Sequence, residues 1–237
     1  MSGPVDLIVI GGGDHARVVI EAARTQPDRW NVVGFANLRP CPETDKRLNV
    51  PYLGGDEQCY CQVSAKRFVL GLGAIGVSQQ RPKLAARYDR HAARWATIVH
   101  TSAWVSPSAT LGKGVVVLAG AIVNCGAVIG DHCIVNTGAI IEHHVRLGDY
   151  TQVGPGTAIG GGTTVGEGSY LGLGCRIRDH IQIGSRVVVG MGAVVVGPIA
   201  DEQIVVGVPA RPLSTKPANV PHIGPVTHHL PPQAQTR

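Results

Sequence analysis

The sequence predicts an α/β domain followed by a parallel β-solenoid, and three observations support this prediction. An aliphatic residue recurs every six positions through the second half of the chain. The first part instead alternates short apolar strands with glycine turns and helical stretches. The composition suits both parts, because the 237 residues include 32 glycines and are 44% hydrophobic but only 4% aromatic. Such a chain must build its core from small aliphatic side chains.

The six-residue repeat runs from Val99 to Val195 without an insertion, and each of its seventeen positions is Val, Ile or Leu. The position two residues earlier is usually small, as at Ala121, Ala139 and Thr157. A period of six fits neither an α-helix nor a hairpin, but it fits a solenoid in which three short strands complete one triangular coil. The aliphatic and small residues should face inward, and residues three repeats apart should stack.

The N-terminal part has the order strand, glycine turn, helix, strand. We predict strands at 6–10, 31–35 and 68–72 and helices at 16–24 and 79–94. The turn at 11–15, Gly-Gly-Gly-Asp-His, opens the first helix in a Rossmann-like βαβ arrangement, where it can bind phosphate or serve packing alone. The domains would be 1–95, 96–212 and a proline-rich flexible tail at 213–237.

Composition also limits the compartment and the partners. The six cysteines form no CxxC pair, which favours a reducing cytoplasm with free thiols. No apolar run approaches the ~20 residues of a membrane span, and residues 1–7 lack the features of a signal peptide. The net charge of +5 suits small anionic ligands, but no basic cluster with interleaved aromatics indicates nucleic acid. We therefore expect a cytoplasmic protein that binds neither nucleic acid nor membrane.

The repeat phase places one histidine, His143, where chemistry is favoured. Ile141 and Val145 take inward positions, so Glu142, His143 and the next residue lie at corner or outward positions. Gly161 follows His143 by three repeats and should stack directly on it, leaving room for a ligand and offering an N–H. A base and an N–H donor are what acyl transfer requires. A surface histidine without function is the alternative.

Three ordered segments resemble one family: GGGDH at 11–15, IVNTGAIIEH at 134–143 and GVPAR at 207–211. Together they are similar to the bacterial nucleotide-sugar N-acetyltransferases, including the bacillosamine and perosamine enzymes, and to the related sialic acid O-acetyltransferases. The resemblance covers roughly residues 5–212. It implies a left-handed parallel β-helix, a homotrimer, acetyl-CoA bound in grooves between subunits, no required metal, and a role in bacterial surface-glycan (O-antigen) biosynthesis.

The resemblance also implies roles for individual residues. His143 would be the general base, and Glu142 or a carboxylate of a neighbouring chain would replace the acidic partner that the family has at the position of His144. Asn136 would contact the sugar, and the Gly161 N–H would meet the acetyl carbonyl. The remaining contacts would be Gln152, Leu173, Gly190 and Met191 for acetyl-CoA, and Gly11, Gly12, Gly13, Asp14, His15 and Asn37 for the sugar nucleotide.

Two further departures and several alternatives stay open. Gln152 stands where the family has a histidine near the thioester, and Asn37 where it usually has Asp, so UDP, GDP and dTDP sugars all remain candidates. An O-acetyltransferase of the sialic acid type, a covalent role for Cys125 and a non-catalytic sugar-nucleotide sensor are alternatives. A γ-carbonic-anhydrase-like zinc enzyme is disfavoured, because the histidines of the fourth repeat position lie on different faces or two coils apart.

Overall fold

The computed structural model describes residues 3–213, apart from the side chains of residues 43 and 48. The N-terminal domain contains a three-stranded parallel sheet of order β2-β1-β3. Its strands are β1 Val5–Ile10, β2 Trp30–Ala36 and β3 Arg67–Leu70. The three predicted strands and their βαβ arrangement are therefore confirmed. Neighbours β2 and β3 lie on opposite sides of β1, so the chain reverses its winding direction at the carboxyl end of β1, where doubly wound sheets bind ligands.

Four helices surround this sheet, namely α1 Asp14–Arg24, α2 Pro42–Leu48, α3 Asp56–Tyr60 and α4 Gln80–Asp89. The prediction of a helix to residue 94 was wrong in its length. Helix α4 ends at Asp89, and the chain then turns through Ala92, whose φ is +57°. The indole N–H of Trp95 donates to the Asp89 carboxylate at 2.6 Å, which holds this turn against the helix end. Helices α2 and α3 are short and were not predicted.

The second part is a left-handed parallel β-helix of two-residue strands. The repeat predicts its three-strand coil, and the family resemblance implies its hand. Each of the seventeen aliphatic positions is the second residue of one strand. The strands are β4 Ile98–Val99, β5 Trp104–Val105, β6 Thr110–Leu111, β7 Val116–Val117, β8 Ile122–Val123, β9 Val128–Ile129, β10 Ile134–Val135, β11 Ile140–Ile141, β12 Arg146–Leu147, β13 Gln152–Val153, β14 Ala158–Ile159, β15 Thr164–Val165, β16 Tyr170–Leu171, β17 Arg176–Ile177, β18 Gln182–Ile183, β19 Val188–Val189 and β20 Val194–Val195.

Every third strand joins the same sheet. The first sheet contains β4, β7, β10, β13, β16 and β19 and is extended by β21 Ile204–Val206 and β22 Arg211–Pro212. The second sheet contains β5, β8, β11, β14, β17 and β20, and the third contains β6, β9, β12, β15 and β18. Paired residues are 18 positions apart, as for Ile134 and Gln152. The prism therefore has three flat faces joined at three corners.

The interior confirms the predicted inward positions. The aliphatic and small residues form one buried cluster, in which Val135, Ala139, Ile141 and Val145 are fully buried. Small polar members are also satisfied, since the Thr157 hydroxyl donates to the Gly172 carbonyl at 2.9 Å. The prism can narrow at these positions because a small side chain needs little space and its hydroxyl finds a backbone acceptor.

The N-terminal domain packs against the first sheet. Ile98, Val116 and Leu118 point outward from that sheet and share a buried cluster with residues of α1. Arg81 of α4 donates to the carbonyls of His132 and Tyr150 at a solenoid corner. Within residues 3–213, none of the helices has both the length and the apolar character needed to cross a membrane.

Candidate functional site

His143 lies at the corner between the second and third sheets, two residues after β11, and its side chain is exposed. Its imidazole rests on Gly161, the residue stacked on it in the next coil. A methyl group on Cα of Gly161 would lie 2.5 Å from both Cε1 and Nε2 of His143. The expectation that Gly161 leaves room for a ligand is therefore corrected, because the imidazole itself fills that space and buries the glycine. The absence of a side chain sets the ring position instead.

The N–H of Gly161 is available beside this ring. The Gly161 carbonyl accepts from His180 N–H at 2.9 Å, and the next N–H, of Gly162, donates to the His143 carbonyl at 2.9 Å. Within residues 3–213 the N–H of Gly161 itself has no hydrogen-bond partner. An imidazole and an unpaired N–H thus lie side by side at one corner, which is the pairing that acyl transfer needs.

The partners of His143 differ from the predicted ones. The Glu142 carboxylate accepts the backbone N–H of His143 at 3.2 Å, so this chain's Glu142 holds the turn. The imidazole instead faces His144, with 3.1 Å between the two Nδ1 atoms. The two rings are nearly perpendicular, at 78°.

The glycine turn Gly11-Gly12-Gly13 connects β1 to α1 at the carboxyl edge of the N-terminal sheet. Gly11 needs its glycine, because its φ is +120° and a side chain would also meet Leu72 at 2.8 Å. The carbonyl of Gly12 accepts the buried Thr44 hydroxyl at 2.6 Å, a contact that the sequence analysis missed. Gly13 precedes α1 in extended conformation without a side-chain cap, so the first N–H groups of the helix face the open edge.

Asn37, for which the resemblance implies a nucleotide contact, lies beside this turn. A methyl group on Gly12 would lie 3.1 Å from Nδ2 of Asn37. That amide donates to the Arg39 carbonyl at 2.8 Å, and the Asn37 carbonyl accepts the Tyr52 hydroxyl at 3.0 Å. Asp14 at the start of α1 is exposed and pairs with Arg17 at 3.0 Å.

His15 is half-buried at this turn, with its ring turned inward. Its ring packs against Gly73, where a methyl group would lie 3.2 Å from Cγ, and its Nε2 is buried with no hydrogen-bond partner in the described chain. Burial, followed by the nearby charge of Arg81, lowers the pKa of His15 to about 4. His15 is therefore neutral at pH 7.

Gln152 has a different neighbour from the one predicted. Its side-chain oxygen accepts Ala74 N–H at 3.1 Å, and its amide donates to the Ala74 carbonyl at 2.8 Å. Both polar atoms thus bind the loop after β3, which also covers His15 through Gly73. In this chain Gln152 connects the two domains, and neither polar group is directed at an outside ligand.

The other predicted residues share one side of the prism. Asn136 follows β10 of the first sheet and donates to the Val153 carbonyl at 3.0 Å. Gly190 occupies the same repeat position three coils later, and Leu173 and Met191 stack at the adjoining corner, 52% and 73% exposed. In a single chain, Asn136, the glycine turn and the residues predicted to bind acetyl-CoA at 173, 190 and 191 therefore lie along the first sheet or at its corner with the second. His143 and Gly161 lie at a different corner, between the second and third sheets.

Residues 3–213 contain no group of three or more His, Cys, Asp or Glu side chains that could hold a metal ion. His132 is buried, and its ring stacks on Tyr150 at 5.1 Å and meets Trp95 edge-on at 4.6 Å. Burial, followed by the charge of Arg81, lowers its pKa to about 4. This histidine therefore belongs to the domain contact.

Two family matches cover the two parts of the chain. Residues 6–88 match the PglD N-terminal domain, and residues 126–161 match the bacterial transferase hexapeptide family of six repeats. A search of curated proteins finds no significant match.

Solved structures resemble the whole described chain. A histidine-to-asparagine variant of perosamine N-acetyltransferase from Caulobacter crescentus, in complex with CoA and GDP-perosamine, is 34% identical with a TM-score of 0.81, covering 91% of this chain and 100% of that one. The acetyltransferase domain of PglB from Neisseria gonorrhoeae, in complex with acetyl coenzyme A, is 30% identical with a TM-score of 0.79, covering 89% and 100%. WeeI from Acinetobacter baumannii, at 22% identity, shares the fold.

The chain belongs to the nucleotide-sugar N-acetyltransferases. This nucleotide-sugar N-acetyltransferase is accordingly an acyltransferase, as the sequence predicted. Its sequence also held a signal that was not used: glycine recurs at the fourth repeat position, at 114, 120, 126, 138, 156, 162, 168, 174 and 192. These glycines all have positive φ, and the histidines at the same position share that conformation. The positive φ of His144 sets the orientation of its side chain.

Proposed function

We propose that this protein transfers the acetyl group of acetyl-CoA to the amine of a nucleotide-linked amino sugar, with His143 as general base. The contact between the His143 imidazole and Gly161, whose N–H has no partner in the described part of the chain, carries the proposal. Relatives crystallised with CoA and GDP-perosamine support the two substrate classes. The product would enter bacterial surface glycans, and the reaction would run in the cytoplasm.

The reaction needs one proton transfer and one acyl transfer. The sugar amine attacks the thioester carbonyl, and the nitrogen gives its proton to Nε2 of His143 as the C–N bond forms. The carbonyl oxygen gains negative charge, which the Gly161 N–H would stabilise. The C–S bond then breaks, and the CoA thiolate leaves with the electron pair and takes a proton from the imidazolium or from water. Neither an acyl-enzyme nor a metal takes part.

The nucleotide diphosphate would lie at the carboxyl edge of the N-terminal sheet. Exposed N–H groups at the start of α1, together with the positive end of the helix dipole, favour a phosphate there. Gly13 is exposed, and a methyl group there would have no heavy atom within 4 Å, so the start of the helix is open to a ligand. No contact within residues 3–213 identifies the nucleobase of the sugar nucleotide. GDP, UDP and dTDP sugars are therefore tested together.

A second copy of the chain would complete the site. The second sheet lies between the Leu173–Met191 corner and the His143 corner. Its outward positions are apolar except for one: Trp104, 58% exposed, then Ile122, Ile140, Ala158, Arg176 and Val194. Those of the third sheet are mostly polar: Thr110, Val128, Arg146, Thr164 and Gln182. An apolar face of this kind favours self-association. Three copies with their second sheets toward a common axis would bring the His143 corner of one beside the acetyl-CoA corner of the next.

The test is steady-state kinetics of acetyl transfer to GDP-, UDP- and dTDP-linked 4-amino sugars. His143→Asn should lower kcat by about 10²- to 10⁴-fold. His180→Asn, an exposed histidine two coils away, should stay within about threefold of the parent. Parental activity in His143→Asn would refute the base. Acetylation of a sugar hydroxyl in preference to all the amines would favour the O-acetyltransferase alternative.

Subunit mixing tests the shared site. Light scattering should give three times the chain mass. A mixture of His143→Asn chains with Met191→Glu chains should regain activity that neither homo-oligomer has, because some interfaces then combine an intact base with an intact acetyl-CoA corner. Failure to regain activity in confirmed mixed oligomers would show that one chain supplies both.

A further inference from the structure

We propose that His144 is the positioning residue for His143: its Nδ1 accepts the Nδ1–H of His143 and so keeps Nε2 of His143 unprotonated and ready to act as the base. This inference rests on the proposed function. The two Nδ1 atoms are 3.1 Å apart, a hydrogen-bond distance for two ring nitrogens.

The repeat conformation turns His144 back toward its neighbour. The fourth position of every repeat from residue 114 to residue 192 has positive φ, whether it is Gly, His, Tyr or Arg, and His144 has a φ of +57°. Its ring rests over Gly126, the equivalent residue of the preceding coil, where a methyl group would lie 2.8 Å from Cδ2. The His144 ring is therefore held from below by the stacked glycine, and the His143 ring is held from above by Gly161.

The contact between two Nδ1 atoms restricts the protonation of the pair. One Nδ1 must carry the hydrogen and the other must offer its lone pair. If His143 donates, its Nε2 is free to take a proton from the substrate amine, and His144 carries its own hydrogen on Nε2. The resulting His143 imidazolium still donates to a neutral His144. A second proton on the pair would bring two N–H donors face to face and break the contact.

Within residues 3–213, no carboxylate pairs with the imidazole of His143. Glu142, the acidic residue of the same turn, accepts the His143 backbone N–H at 3.2 Å. The coil below presents the exposed thiol of Cys125, whose carbonyl accepts the His144 N–H at 3.0 Å. Above the two glycines of the next coil, the ionisable groups at the same repeat positions are Asp179 and His180. The Asp179 carboxylate lies 3.9 Å from Nε of Arg178, with which it forms an ion pair.

The experiment compares three substitutions at 144 with one matched control. Asn and Gly both tolerate positive φ, so neither strains the turn. His144→Gly removes the acceptor and restores the commonest residue of this position, and it should lower kcat at least about tenfold with KM within about twofold. His144→Asn keeps an acceptor oxygen and should stay within about threefold of the parent. His180→Gly makes the same change at a histidine of φ +52° over Gly162 and should leave kcat within about twofold.

His144→Glu tests the charge of the partner. A carboxylate favours the protonated imidazole, so the acid limb of the kcat/KM profile should move upward by about one pH unit or more. The tautomer is measured without turnover, by long-range ¹H–¹⁵N correlation on protein labelled at histidine. His143 should carry its hydrogen on Nδ1 in the parent and in His144→Asn, and should show a mixture or the Nε2–H form in His144→Gly.

The two proposals fail separately. An Nδ1–H tautomer that depends on residue 144, together with an active His143→Asn enzyme, would support the pair and refute the base. An inactive His143→Asn enzyme would support the base, and the inference about His144 would then be overturned if His144→Gly kept the parental tautomer, kcat and pH profile. Equal losses in His144→Gly and His180→Gly would also overturn it, because they would assign the effect to the turn.

Discussion

Replacing Gly161 by alanine should inactivate the site while leaving the fold intact. Gly161 does not have positive φ, so alanine introduces no backbone strain. The substitution keeps the N–H that would meet the acetyl oxygen. It changes only the space between residue 161 and the His143 ring, and it therefore separates the placement of the base from the supply of the N–H.

The expected loss follows from the distances. The added methyl group would lie 2.5 Å from Cε1 and Nε2 of His143 and 3.0 Å from Nδ1, whereas ordinary contacts begin at 3.4 Å. The ring must therefore move by about 0.9 Å, since it is exposed and can yield more easily than the backbone. A misplacement of about 1 Å can cost about 10²-fold in rate, so we expect kcat to fall by about that factor.

The assay is kcat for acetyl transfer, with the melting temperature measured on the same protein. Gly197→Ala is the control, because a methyl group there would have no heavy atom within 4 Å. Both variants should melt within a few degrees of the parent. Parental kcat in Gly161→Ala would refute the argument that the ring position on Gly161 governs the base, and an equal loss in Gly197→Ala would assign the effect to the solenoid as a whole.

Two further predictions concern stability. Since burial lowers the pKa of His15 and His132 to about 4, the unfolded chain binds protons that the folded chain does not between about pH 6.5 and pH 4, and the free energy of unfolding should fall over this range by up to about 3 kcal/mol per histidine. Denaturant titrations at several pH values should show this fall, and the free energy of unfolding should depend less steeply on pH in His132→Asn. An unchanged pH dependence in that variant would contradict the attribution of the effect to His132. Gln152→Ala should lower the free energy of unfolding by about 1–3 kcal/mol through the lost bonds to Ala74, whereas exposed Gln182→Ala should change it little. A raised KM for acetyl-CoA at unchanged stability would instead favour the predicted contact with acetyl-CoA.

The solenoid was predictable strand by strand. Each of the seventeen aliphatic positions from Val99 to Val195 is the second residue of a strand. An aliphatic side chain must face the narrow interior once in every six residues, and only one strand register satisfies this. The first βαβ unit, β1 to β2, was also predicted correctly from the sequence. Helices α2 and α3 were not, since seven and five residues are too few to show a period. The end of α4 was decided by the contact between Trp95 and Asp89, which sequence spacing does not reveal.

The candidate site was only half predictable. Repeat phase placed His143 outward and stacked it on Gly161, because both follow from counting. The partners of these residues did not follow. Glu142 was expected beside the His143 imidazole, but its carboxylate accepts the backbone N–H of His143. Gln152 was expected near the thioester, but its side chain hydrogen-bonds to the backbone of Ala74. Such contacts depend on φ at a corner and on how one domain lies against another.

The order of residues by itself determined the period, the inward faces and the stacking of coils, because burial of aliphatic side chains acts at every repeat and permits one solution. Only the tertiary structure decided which ring faces His143, what the Gly161 space contains and which corner carries each group. These depend on single side-chain contacts, each of about 1 kcal/mol, and sequence pattern does not distinguish between alternatives of such similar energy.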